Sequence, residues 1–176
     1  MRVWVARHGQ TQWNVENKVC GRTELPLTEE GKKQALLLCQ KLENLEIDLM
    51  IVSPMLRARQ TAAPAAEKYH IPMVIDDRLI EQDYGIYEGV SRFDVGFLNN
   101  KRQFAFRYPG GESMMDVACR VYSLLNEIKE KYPDKNILLV CHGGVCRVIR
   151  TYFEDMTNEE YFHYSEENAA VREYEL

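Results

Sequence analysis

The sequence predicts an α/β fold of three layers. Helices pack on both faces of a mostly parallel central sheet, with room for one antiparallel edge strand. Three observations carry this. Val3-Trp4-Val5-Ala6, Leu49-Met50-Ile51-Val52 and Ile137-Leu138-Leu139-Val140 are short unbroken apolar runs, the pattern of strands buried on both faces. Stretches with helical spacing separate them, and strand–helix alternation is the signature of a parallel sheet. Polar or basic residues follow each run at once: Arg7-His8, Ser53 and Cys141-His142. In such sheets ligands bind beyond the carboxyl ends of the strands.

The elements follow in order. Residues 2–7 read as a strand. Thr28 suits an N-cap for a helix to about Asn44, with Ala35, Leu38, Cys39 and Leu42 on one face. After the strand at Leu49–Val52, Ser53-Pro54 has the form of an N-cap followed by proline at the first helical position. The helix it opens carries Met55, Ala58, Ala62 and Tyr69 on one side, with a kink expected at Pro64. Pro72–Ile75 is a third strand candidate. Ser113 and Asp116 resemble a capping pair ahead of the stripe Val117, Val121, Leu124 and Ile128. Val145, Val148, Ile149 and Tyr152 mark a helix after the Ile137–Val140 strand, and Ala170–Leu176 suits a last edge strand. Residues 90–108 are aromatic and basic without clear periodicity; Phe93 and Phe97, four apart, suggest helix packing.

Size and charge narrow the function. A chain of 176 residues fits one domain spanning 1–176. Its formal net charge of -5 argues against nucleic acid or an anionic membrane as partner, so any anion site must be a local cluster of cations. No apolar run reaches the roughly 20 residues of a membrane span. Arg7 and His8 interrupt the first run too early for a signal peptide. The five cysteines are irregularly spaced with no C-x-x-C pair, which indicates neither a disulfide framework nor a zinc site. A cytoplasmic protein with reduced thiols is the expectation.

The strand ends hold the candidate chemistry. Arg7 and His8 follow the first strand, Ser53 and Arg57 the second, and His142, Gly143 and Gly144 the Ile137–Val140 strand. An arginine in the first turn of a helix opposes the helix dipole unless an anion sits nearby. Two glycines at a helix start let backbone N–H groups approach that anion. Glu81, after the third strand, offers a carboxyl that can protonate a leaving oxygen and then activate water.

Six blocks occur in sequence order: RHGQTQWN, GRTELPLTEEG, SPMLRARQTA, RLIEQDYGIYEG, GGES and VCHGGVCR. Together they resemble the histidine phosphatase superfamily, also called phosphoglycerate mutase-like, from Val3 to about Arg150 and at Asn168-Ala169. The resemblance implies a single α/β/α domain and a phosphohistidine mechanism with no metal or other cofactor. It makes His8 the nucleophile and Glu81 the acid, with Arg7, Arg57 and His142 holding the phosphoryl group. It also implies substrate contacts at Asn14, Cys20, Gly21, Thr23, Tyr84 and Gly143. Arg102 joins them if residues 90–110 cap the pocket, where the bases Lys101, Arg102 and Arg107 suit a carboxylate or second phosphate. Two positions depart from the pattern: Glu24 stands where many relatives have Asp, and Cys141 where Ser, Thr or Ala is commoner.

A phosphatase acting on small phosphorylated metabolites is therefore expected, α-ribazole phosphatases being similar proteins of comparable size. The runner-up is a phosphoglycerate mutase, although the mutases carry a longer pocket insert and C-terminal tail that keep water out. Two further readings stand beside these. Cys141–Arg147 spells C-x-x-G-x-x-R, the phosphate loop of cysteine-dependent phosphatases, with Cys141 at a helix start where the dipole would activate a thiolate. The other is a non-catalytic module that only binds a phospholigand.

Overall fold

The computed structural model describes residues 1–176. Five strands, β1 (Arg2–Arg7), β2 (Leu49–Val52), β3 (Met73–Ile75), β4 (Ile137–Cys141) and β5 (Val171–Glu175), form one sheet in the order β3-β2-β4-β1-β5. All pairings are parallel except β1 with β5. Seven helices accompany them: α1 (Gln12–Val15), α2 (Glu29–Lys41), α3 (Leu56–Tyr69), α4 (Val95–Lys101), α5 (Met114–Lys131), α6 (Gly143–Phe153) and α7 (Asn158–His163).

The period-two geometry of a strand divides the core in two. Val3, Val5, Leu49, Ile51, Ile137, Leu139 and Cys141 face a cluster that includes Val117, Val121, Leu124, Leu125 and Ile128 of α5 and Val145, Val148 and Ile149 of α6. Trp4, Ala6, Met50, Val52, Leu138 and Val140 face Leu38 and Cys39 of α2 and Ala58, Ala62 and Ala65 of α3. Both faces are thus covered, which explains why these strands read as unbroken apolar runs. Each fully buried Val, Leu or Ile contributes roughly 1.5–3 kcal/mol.

Several sequence expectations shift. α2 ends at Lys41 rather than Asn44, with Leu42 as its C-cap. α3 starts at Leu56, not after Ser53, and runs through Pro64. Its first amide, Leu56 N–H, is capped from a distance by Glu24 Oε2 at 3.0 Å. Glu24 therefore serves as a helix cap. Phe93 lies outside α4 and is exposed, while Phe97 packs with Val19 and Tyr108 in a small third core. β3 is an exposed edge. The expected cap of α5 forms: Ser113 Oγ accepts from Asp116 N–H at 3.1 Å, and Asp116 Oδ2 accepts from Ser113 N–H at 2.9 Å.

Register positions the site. Ala6 lies opposite Val140, and Val52 opposite Val140 on the other side. The three strands therefore stop at one level, and Arg7-His8, Ser53 and His142 emerge together there.

Candidate active site

The floor of the site is built from those strand ends. His8 N–H donates to the Cys141 carbonyl at 2.9 Å, extending the β1–β4 ladder by one residue. Asn168 Nδ2 donates to the His8 carbonyl at 2.9 Å, so the turn before β5 also pins the backbone here. The His8 ring places Nδ1 2.7 Å from the Gly9 carbonyl oxygen. A carbonyl only accepts, so Nδ1 carries the proton and Nε2 keeps its lone pair. Burial, followed by the Arg57 and Arg7 cations, holds the imidazole well below its ordinary pKa. His8 is therefore neutral at neutral pH.

Arg57 is 0 % exposed and anchored on three sides. Its Nε donates to His142 Nδ1 at 3.2 Å, Nη1 to the Thr23 carbonyl at 2.9 Å and Nη2 to the Gly21 carbonyl at 2.6 Å. His142, accepting at Nδ1, carries its proton on Nε2 and donates it to Ser53 Oγ at 2.7 Å. Burial and the Arg57 charge keep this second imidazole neutral too. The two rings lie 5.1 Å apart. Thr61 Oγ1 ties the layers together, donating to the Arg57 carbonyl at 2.7 Å and accepting from Gly9 N–H at 2.9 Å.

Arg7 is held by Nη1 donating to the Glu166 carbonyl, while its buried Nε has no partner. A guanidinium N–H left free in a cavity it shares with His8 is suited to an incoming anion. Glu81 is fixed by two backbone donors, Gln82 N–H to Oε1 at 2.8 Å and Gly144 N–H to Oε2 at 3.0 Å. Gly144 is required there: a Cβ would sit 2.5 Å from Glu81 Oε1. Asn14 accepts the Thr11 N–H at 2.9 Å through Oδ1, which leaves its amide donors for the cavity it lines.

A cavity of about 150 Å³ opens above this floor, lined by Arg7, His8, Asn14, Cys20, Glu81, Tyr84 and Gly143 among the expected residues. The others lie elsewhere. Arg57 and His142 do not line it; they lie in the floor, with the His142 ring 5.1 Å from His8. Gly21 and Thr23 supply carbonyls to Arg57 rather than lining the space. Arg102 turns outward, donating to Glu159 at 3.2 Å and lying 3.7 Å above the Phe162 ring. Arg107 likewise pairs with Asp116 at 2.9 Å. In their place Arg92, Lys101 and Arg147 line the cavity. Sequence reasoning passed over Ser53 as a ring partner, Gly144 as the Glu81 anchor, and Asn168. Ser53 and Gly144 had a signal: Ser53 directly follows β2, and Gly144 lies in the first turn of the helix that follows β4.

The cysteine-phosphatase reading fails on geometry. Cys141 is the last residue of β4, its side chain belongs to the apolar core, and it is 0 % exposed. Burial pushes its thiol well above the ordinary value, and its Sγ lies 3.5 Å from Cys146 Sγ. A thiol so placed cannot reach a substrate.

No helix is long and apolar enough to cross a membrane, and no three His, Cys, Asp or Glu side chains converge to hold a metal ion. Comparison with known proteins decides the family. A model of the histidine phosphatase superfamily (branch 1) matches residues 3–176. This chain belongs to the histidine phosphatase superfamily. Among its relatives is the uncharacterized phosphatase PhoE of Bacillus subtilis, 32% identical over 149 residues, 85% of this chain and 75% of that one. A probable phosphoglycerate mutase, GpmB of Cronobacter sakazakii, is 35% identical over 153 residues, 81% of this chain and 70% of that one. The histidine phosphatase fold superposes on the mycobacterial glucosyl-3-phosphoglycerate phosphatase with a TM-score of 0.87 at 26% identity, covering 98% of this chain and 88% of that one. A putative alpha-ribazole-5'-P phosphatase from Escherichia coli gives 0.85 at 26% identity over 98% and 89%.

Proposed function

We propose that this protein is a phosphomonoesterase that hydrolyses small phosphorylated metabolites through a phosphohistidine on His8. The observation that carries the reading is the state of the His8 ring. Nδ1 is bound to its own chain, Nε2 is unprotonated, and a cation shell keeps it so. His8 Nε2 attacks phosphorus as the ester P–O bond breaks, and Glu81 gives the leaving oxygen its proton. Glu81 then takes a proton from water, whose oxygen attacks phosphorus and breaks the P–N bond, releasing phosphate and restoring His8. Arg7, Asn14 and the N-terminus of α6 contact the phosphoryl oxygens in this scheme. Arg57 adds positive charge from below, and the neutral His142 ring helps hold it in place. The arginines supply the charge that phosphoryl transfer needs, so the proposed route uses no metal.

The small cavity, lined in part by Arg92, Phe97, Lys101 and Tyr108, supports a metabolite-sized substrate. A panel of phosphorylated metabolites assayed for phosphate release, with His8→Ala as control, tests the reading. Release by the native chain and none by the variant is expected; equal rates in both would sink it. The mutase reading is favoured by the GpmB relatives. It would prevail if isomerisation primed by 2,3-bisphosphoglycerate outran phosphate release.

A further inference from the structure

Arg7 is gripped by one stretch of chain that lies far away in sequence, the connection from α7 to β5. Ala169 N–H donates to the Arg7 carbonyl at 3.0 Å, and Arg7 N–H donates to the Ala170 carbonyl at 3.2 Å. The same connection holds the guanidinium, whose Nη1 donates to the Glu166 carbonyl, while the buried Nε has no partner. A guanidinium is a rigid planar fork, so fixing one nitrogen sets the direction of the others. The place of the Glu166 carbonyl therefore decides where the free N–H of Arg7 points.

That carbonyl is fixed in turn by the Glu166 side chain. Glu166 is buried, which is costly for a carboxylate unless it is paired. Its Oε1 accepts from Tyr164 Oη and, at 3.0 Å, from Arg172 Nε. The Glu166 carboxylate raises the Arg172 guanidinium above its ordinary pKa. Arg172 sits on β5 opposite Val5 of β1, so the sheet sets its position. Tyr164 lines the cavity, and Glu166 does not. Contacts thus run from the sheet through Arg172 and the Glu166 carboxylate to the Glu166 carbonyl, and from there to Arg7. An ion pair that only tied β5 to the preceding loop would need no contact with Arg7.

We propose that Glu166 is a positioning residue: its side chain, fixed by Arg172 and Tyr164, sets the carbonyl that aims Arg7 at the phosphoryl group. The role of Arg7 rests on the phosphatase reading, but aiming a cation at an oxyanion needs no turnover.

The test is a double-mutant cycle read by titration calorimetry with tungstate, an inert tetrahedral dianion that stands in for the phosphoryl group. Glu166→Ala is expected to weaken tungstate binding about five- to tenfold, the scale of one misplaced charge-assisted hydrogen bond. In an Arg7→Met background the same change should alter affinity by less than about twofold, because no guanidinium is left to aim. Arg172→Met should weaken binding severalfold, and Arg172→Lys, which can still pair with Glu166, should restore most of it. Val171 packs on the opposite face of β5. Val171→Ala should therefore lower stability in urea unfolding yet leave tungstate affinity within about twofold. Glu166→Gln, a milder change with about a threefold loss expected, enters the same cycle and decides it if Glu166→Ala does not fold. Native-like affinity in the folded Glu166 variant, or a loss that persists undiminished in the Arg7→Met background, overturns the positioning role. A native chain that binds no tungstate overturns it as well, since Arg7 then meets no anion. Coupling between Glu166 and Arg7 with no phosphate release from any ester would instead overturn the phosphatase reading.

Discussion

The floor and the wall of the cavity are made differently. On the floor, Arg57 and His142 have their polar atoms bound to protein, while Arg7 Nε and His8 Nε2 are left open. On the wall, Arg92, Lys101 and Arg147 each hold a single backbone contact or none, on segments outside the sheet. A floor fixed at strand ends is preorganised for one group in one position, which chemistry needs. The wall cations are long and lightly tethered, so they can move where the floor cannot.

The contrast can be broken or sharpened by substitution. The largest effect is expected from His8→Ala, which should lower kcat at least about 10³-fold with folding retained. Arg57→Met removes charge from under the nucleophile without touching the cavity wall, and a fall of about 10²–10³-fold in kcat/KM is expected. If Arg57→Met weakened only KM, the floor would be acting as a binding surface. Gly144→Ala pushes a methyl against Glu81, and kcat should fall about 10–100-fold while a probe such as orthophosphate still binds.

Smaller effects concern stability. His8 and His142 have depressed pKa values in the folded chain, while the unfolded chain takes up those protons below about pH 6.5. Stability is therefore full above that pH and falls as pH is lowered through it. The slope is up to about 1.4 kcal/mol per pH unit for each histidine until the folded values are reached. Urea unfolding from pH 7 to 5 should show this slope, and His142→Gln should lower it. Cys141→Ala, which touches only the core, should cost about 1–2 kcal/mol and leave kcat within about twofold. A dead Cys141→Ala variant that unfolds like the native chain would reopen the thiolate route.

The floor was legible in the sequence because strand ends are. Apolar runs ending in Arg7-His8, Ser53 and Cys141-His142 needed only a parallel sheet in register to converge. The parity of β4 also held the answer for Cys141, which shares a face with Ile137 and Leu139 and so points into the core. The rest depended on contacts distant in sequence. Ser53-Pro54 looks like a helix start, yet Glu24 reaches across to cap α3, and Ser53 turns to His142. In the short α4, no periodicity distinguishes Lys101, which faces the cavity, from Arg102, which faces Glu159. Arg147 was hidden by a motif that suggested another chemistry for it.

The central claim is a phosphoryl group carried on His8. Rapid acid-free quenching during turnover of a ³²P-labelled ester, followed by peptide mapping, tests it most directly. The account predicts label on the peptide containing His8, stable to base and lost in acid, and absent from His8→Ala. Label on Cys141, or steady turnover with no labelled peptide at any time, would contradict it.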